Sequence, residues 1–184
     1  MRPFDYALLQ DKTWDTELLR LIAGIYKEAG KQELYLKQKP ATLKKLVEVS
    51  KIQSTEASNA IEGIVTTNTR IRQLVEVEPL ITIAVFIHDF LCIYPVNDGN
   101  ERMSRLLTTL LLYQNGFYVG KYISLEAKIA NNKALYYEAL SASQDGWHEG
   151  KNNPVPFIKY LLGTILAAYK DFEERVTLIE PKIP

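Results

Sequence analysis

The stretch Ile93-Tyr94-Pro95-Val96-Asn97-Asp98-Gly99-Asn100-Glu101-Arg102-Met103-Ser104-Arg105, residues 93–105, decides how the chain is read. Pro95 breaks an apolar run, because proline has no N–H to give and restricts the residue before it. Asp98-Gly99-Asn100 is turn chemistry. Helical spacing resumes at Glu101 and runs to Asn115, where Gly116 offers a stop. A glycine-containing loop therefore opens a helix. The first N–H groups of that helix lack internal acceptors and carry the positive end of the dipole, so they form a ready anion site. Arg102 and Arg105 are three apart and share a helical face just behind that end. Guanidinium groups suit bidentate phosphate binding. Asp98 supplies the hard oxygen that Mg²⁺ takes. On spacing alone, the same residues also read as an ordinary helix start with two surface arginines.

Working outward, the pattern is mostly helical. Leu80–Ile93, opened by Pro79, is apolar all round and reads as a buried helix. Trp14–Gly30 repeats Leu18, Leu19, Ile22, Ile25 and Tyr26 at helical spacing, with Gly30 as its expected C-cap. A second helix is expected from Pro40 through Leu43, Leu46, Val47 and Ile52 to Ile61, stopping at Gly63. Ser124 starts another helix through Leu135, Tyr136 and Leu140. Asp145–Pro154 reads as a polar loop. Pro156–Val176 is a last amphipathic helix with Ile158, Leu161, Leu162, Ile165 and Tyr169 on one face. Phe117–Tyr122 is the best strand candidate, and little or no other β structure is expected. The class is all-α. We expect an N-terminal helical region over 1–78 and a core with C-terminal helices over 79–184, together forming one compact domain.

The chain has 184 residues, of which 47% are hydrophobic, enough for a sizeable core. Lys+Arg and Asp+Glu are both 22, so nothing in the charge points to nucleic acid or an anionic membrane. Zero net charge also removes one barrier to a homo-oligomer. The single cysteine, Cys92, allows no intrachain disulfide and suits a reducing cytoplasm. The N-terminal stretch has no apolar h-region, and no apolar run reaches the roughly 18–20 residues of a membrane span. A cytoplasmic protein is expected.

Tyr94-Pro95-Val96-Asn97-Asp98-Gly99-Asn100-Glu101-Arg102-Met103-Ser104-Arg105 resembles the motif H-P-F-x-(D/E)-G-N-G-R-x-x-R of the Fic/Doc (Fido) family. Pro, Asp, Gly, Asn and both Arg are in place. The resemblance implies a Fic-type helical fold, with ATP and Mg²⁺ as cofactors and a target protein as partner. In such proteins the histidine takes a proton from a target hydroxyl, which attacks the α-phosphate of ATP and receives AMP. Tyr94 would stand at the position of that base, and Asp98 at the Mg²⁺ ligand. Gly99, Asn100, Glu101, Arg102 and Arg105 would line the nucleotide site, with Arg102 toward the β-phosphate and Arg105 toward the γ-phosphate. Ser58-Asn59-Ala60-Ile61-Glu62-Gly63 resembles the family's inhibitory motif, (S/T)-x-x-x-E-(G/N). There, Ser58, Glu62 and Gly63 would belong to a helix whose glutamate pairs with Arg105 and competes with phosphate for it.

The departures point to impaired transfer. A free phenol titrates near ~10 and an imidazole near ~6.5, so tyrosine is a poor proton acceptor at neutral pH. Loss of a general base typically costs ~10²–10⁴-fold. Glu101 replaces a glycine where backbone should approach phosphate. Like charges at close range there cost roughly 1–4 kcal/mol at effective dielectrics of ~20–80, whereas a glutamate is favourable at an empty helix N-terminus. Val96 replaces an aromatic anchor. Val75–Glu78 reads as the junction of a deletion, because relatives carry further helices and a target-docking flap between the two motifs. His88 and His148 read as structural. The alternative function is a non-catalytic Fic-fold module that binds a partner or a nucleotide.

Overall fold

The two longest helices with defined bounds, at opposite ends of the chain, lie against each other. The computed structural model describes Leu9 and residues 12–38, 43, 46–47 and 78–178. Among these, six α-helices have defined bounds: α1 (Thr16–Gln38), α2 (Pro79–Ile93), α3 (Asn100–Gln114), α4 (Leu125–Asn131), α5 (Lys133–Gln144) and α6 (Val155–Leu178). No strand occurs among the described residues, so the class is all-α as expected.

α6 is the hub, packed against α1, α2, α4 and α5. Phe157, Ile158, Leu161, Leu162, Ile165, Ala168, Tyr169, Phe172 and Val176 recur at three- and four-residue steps and are all buried. That spacing forms one apolar stripe. Leu18, Ile22 and Ile25 of α1 join the same core, as do Leu43 and Leu46, which are helical and buried. The rest of the helix expected over 40–63 lies outside the described residues.

α2 is buried on nearly every side. Pro79 occupies its first turn, and Glu78 caps it by accepting the Leu80 N–H at 3.3 Å. A buried polar group needs a partner, and Asp89, 4% exposed, accepts a 2.8 Å bond from Trp147 Nε1. The expected polar loop after α5 thus contains a 3₁₀ turn, Trp147–Glu149, whose buried indole ties it to α2.

Three expectations change. Gly30 does not end α1, which continues to Gln38. Beyond it, Gln32 is buried and Tyr35 and Leu36 pack on the core, so tertiary burial outweighs one glycine's ~1 kcal/mol helix cost. The strand candidate Phe117–Tyr122 is instead a 3₁₀ turn at Val119–Lys121. With no strand among the described residues to pair with, its β-favouring Phe117, Val119 and Tyr122 fill the core instead. The helix expected after Ser124 breaks at Asn132, whose φ of −135° and ψ of 49° separate α4 from α5.

Candidate functional site

α2 and α3 pack side by side, so the loop between them, residues 94–99, sits at one end of the pair. Tyr94 closes α2 in the left-handed region, with φ 53° and its N–H donating to Phe90 O at 3.1 Å. It is the one non-glycine residue with positive φ among the described residues. An L-residue pays roughly 1–2 kcal/mol for that conformation. The residue is 58% exposed.

The loop is fixed from within by Asn100, which is 1% exposed. Its Oδ1 accepts the Val96 N–H at 3.1 Å and its Nδ2 donates to Val96 O at 2.6 Å. The Asn100 side chain is therefore committed to the loop. Gly99 caps α3 with φ 83°, in the left-handed region that favours glycine, and no side chain caps the first turn in its place. Asp98 is exposed, and its Oδ1 accepts the Gly99 N–H at 2.7 Å. Val96, where an aromatic anchor was expected, is half-buried and held through its backbone.

Down α3, Asn100, Ser104 and Thr108 form a buried polar row. Ser104 Oγ donates to Glu101 O at 2.8 Å and Thr108 Oγ1 to Ser104 O at 2.7 Å, so each hydroxyl is satisfied by its own helix. The two arginines part company. Arg102 is exposed, while Arg105 is half-buried and lines a cavity of about 240 Å³ between α3, α4 and α5. Ile129 and Ala130 supply its apolar wall, and Glu101, Glu126, Lys133, Tyr136 and Tyr137 the rest.

Glu101 reaches across this cavity. Tyr137 Oη lies 2.9 Å from each of its carboxylate oxygens, and Arg105 Nη1 is 3.9 Å from Oε2. Burial, then the Glu101 hydrogen bond, holds the Tyr137 phenol above its ordinary pKa. Tyr136 is raised for the same first reason, burial, with the Glu101 charge second. Tyr136 Oη is buried and makes no hydrogen bond among the described residues. The nearby Ser104 hydroxyl lowers the Tyr136 pKa slightly, but Ser104's own proton goes to the Glu101 carbonyl. Glu126, 6% exposed, accepts the Ser124 hydroxyl at 3.0 Å.

The structure thus gathers Asp98, Gly99, Asn100, Glu101 and Arg105 around the start of α3, with Tyr94 exposed at the end of α2 and Arg102 exposed on α3. Ser58, Glu62 and Gly63 lie outside the described residues. His88 is fully buried, packed on Phe157 at 5.7 Å with Cys92 Sγ 3.5 Å from its Nε2, and so does not face the loop. His148 is exposed and edge-on to Trp147 at 5.0 Å. Sequence reading missed Glu126, Lys133, Tyr136 and Tyr137. The adjacent tyrosines at the start of a helix, one turned in and one at the rim, were the available signal.

No group of three or more His, Cys, Asp or Glu side chains able to hold a metal occurs among the described residues. An ion at Asp98 would need phosphate and water for the rest of its shell, the habit of Mg²⁺. No helix among the described residues is long and apolar enough to cross a membrane. Compared with models of known protein families, the chain matches the Fic/DOC family over residues 16–112, more than half its length. The match takes in α1, well before the Ser58–Gly63 motif. No curated protein matches the chain.

Proposed function

We propose that this chain, which belongs to the Fic/DOC family, is a nucleotide-binding protein in which AMP transfer is suppressed at two positions of its motif, Tyr94 and Glu101. The observation that best supports this is the Glu101 carboxylate, placed at the mouth of the helix and turned to Arg105 and Tyr137. A phosphate arriving there must displace a carboxylate from the same guanidinium, and the two compete for one positive charge. Glu101 also complements the dipole of α3, worth about 0.3–1 kcal/mol when no ligand is bound. It acts within the motif as the inhibitory Glu62 is expected to act from outside it.

The remaining residues fit a nucleotide. The start of α3 offers backbone N–H groups without a side-chain cap, and Tyr136 presents a buried hydroxyl that needs a partner. Asp98 would hold Mg²⁺, which would offset phosphate charge. Arg102 and Arg105 would orient the phosphates, Arg105 only once Glu101 moves. At Tyr94 no imidazole nitrogen is present to take the proton as relatives take it. A target hydroxyl would stay protonated and a poor nucleophile.

Incubation with α-labelled ATP and Mg²⁺, beside a Tyr94→Phe control, tests this. We expect no label on the protein, or on others in a cytosolic extract, above that control. Robust transfer by the unmodified chain would overturn the proposal.

A further inference from the structure

The cavity beside α3, of about 240 Å³, is too evenly charged for the ligand its family membership suggests. Its polar lining is Glu101, Arg105, Glu126, Lys133, Tyr136 and Tyr137, two carboxylates against two cations. Arg105 already faces Glu101. Lys133 sits over the Tyr137 ring at 5.5 Å and makes no ion pair among the described residues. The cavity therefore has one cation to give, enough for a single phosphate. Further phosphates along the chain axis would meet the Glu101 carboxylate at close range.

The rest of the lining suits a nucleoside. Ile129 and Ala130 give an apolar surface for a base. Glu126 is a buried carboxylate in the wall, an acceptor for ring or exocyclic N–H groups. Tyr136, 4% exposed, lines the same space, and its Oη is buried without a partner among the described residues. An unpaired buried hydroxyl is costly, and a ring nitrogen or ribose hydroxyl would satisfy it.

We propose that this cavity takes a purine nucleoside or its monophosphate and rejects the triphosphate, with Glu101 as the residue that sets the preference. The inference rests on reading the site as a nucleotide site, and deepens it: a chain that holds AMP or adenosine reads nucleotide state without spending ATP.

Isothermal titration of the full chain with adenosine, AMP and ATP, each with and without Mg²⁺, tests it. The unmodified protein should bind adenosine and AMP at least about tenfold more tightly than ATP, and Glu101→Gln, which keeps the shape and removes the charge, should raise ATP affinity about tenfold. Tyr136→Phe should weaken adenosine binding by about fivefold or more. Unchanged circular dichroism of both variants keeps the comparison meaningful, and Glu101→Gly stands in if the glutamine variant misfolds. ATP binding the unmodified protein as tightly as AMP, or an order of affinity that Glu101→Gln and Glu101→Gly both leave intact, would overturn the inference. So would failure of all three ligands to bind. In that case label transfer by a Tyr94→His/Glu101→Gly variant still decides whether a family site is present, so the two failures are told apart.

Discussion

Asn100 holds the loop, and its removal should be felt more than its exposure to ligand would suggest. Asn100→Ala deletes the pair of bonds to Val96 and leaves the N–H and C=O of half-buried Val96 without those partners, a loss of about 1–3 kcal/mol for the two bonds. Urea unfolding of the variant should show that shift in midpoint with an unchanged slope. Asn100→Asp should be worse, because it keeps the acceptor but sets a carboxylate against the Val96 carbonyl. The residue types of the loop were legible in sequence because turn formers and the helix start are local features. The inward turn of Asn100 was not legible, since a phosphate cradle and a loop clamp call for the same amide. The role of Glu101 was legible as an intrusion of charge. Its grip on Tyr137, 36 positions along the chain, was beyond any local pattern.

At the scale of elements, two glycines that look alike in sequence should respond oppositely to alanine. Gly116 sits past the end of α3 with φ 85°. Its N–H donates to Tyr113 O at 3.2 Å, and that of Phe117 to Leu112 O at 2.9 Å, the paired bonds of a Schellman end. Gly116→Ala should destabilise by about 1–2 kcal/mol. Gly30 lies inside α1, where an added Cβ meets nothing within 4 Å. Gly30→Ala should stabilise by about 0.8–1 kcal/mol. Thermal melts of the two variants check both signs, and a destabilised Gly30→Ala would contradict the continuous α1. The helix cores were legible because apolar residues at helical spacing announce themselves. Ends were less so. A glycine marks a stop only if the residues beyond it gain nothing from continuing, and here Gln32, Tyr35 and Leu36 gain a core. The break at Asn132 left no sign in the apolar spacing.

Across the whole molecule, α1 and α6 are joined at their rims by charge as well as by their shared core. Lys159 reaches Asp15 at 2.8 Å and Glu17 at 2.5 Å, and Lys31 reaches Glu173 at 3.0 Å. The Lys159 hydrogen bond, then the Leu18 N–H, holds the Asp15 carboxyl below its ordinary pKa, and Lys31 does the same for Glu173. Asp15 and Glu173 hold Lys159 and Lys31 above theirs. A depressed carboxyl stabilises the fold above its unfolded pKa, and that gain is lost as pH falls through the lower folded value. A raised lysine stabilises below its unfolded pKa, and the gain is lost as pH climbs through the higher folded one. Stability should therefore be flat around neutrality and fall at both extremes. The Lys31→Met/Lys159→Met variant should show a shallower acid limb of melting temperature, modest in size because the pairs are exposed and screened by salt. The all-α class was legible from periodicity alone. The cavity was not, because its walls come from α3, α4 and α5 and meet only in the folded chain. Transfer of label from α-labelled ATP by Tyr94→His/Glu101→Gly, run beside the unmodified protein with Mg²⁺, measures most directly whether a working family site lies under two silencing residues. Label should appear with the double variant and be absent from the unmodified chain. Equal labelling of both, or a folded double variant that binds ATP yet transfers nothing even with Glu62→Gly added, would contradict it.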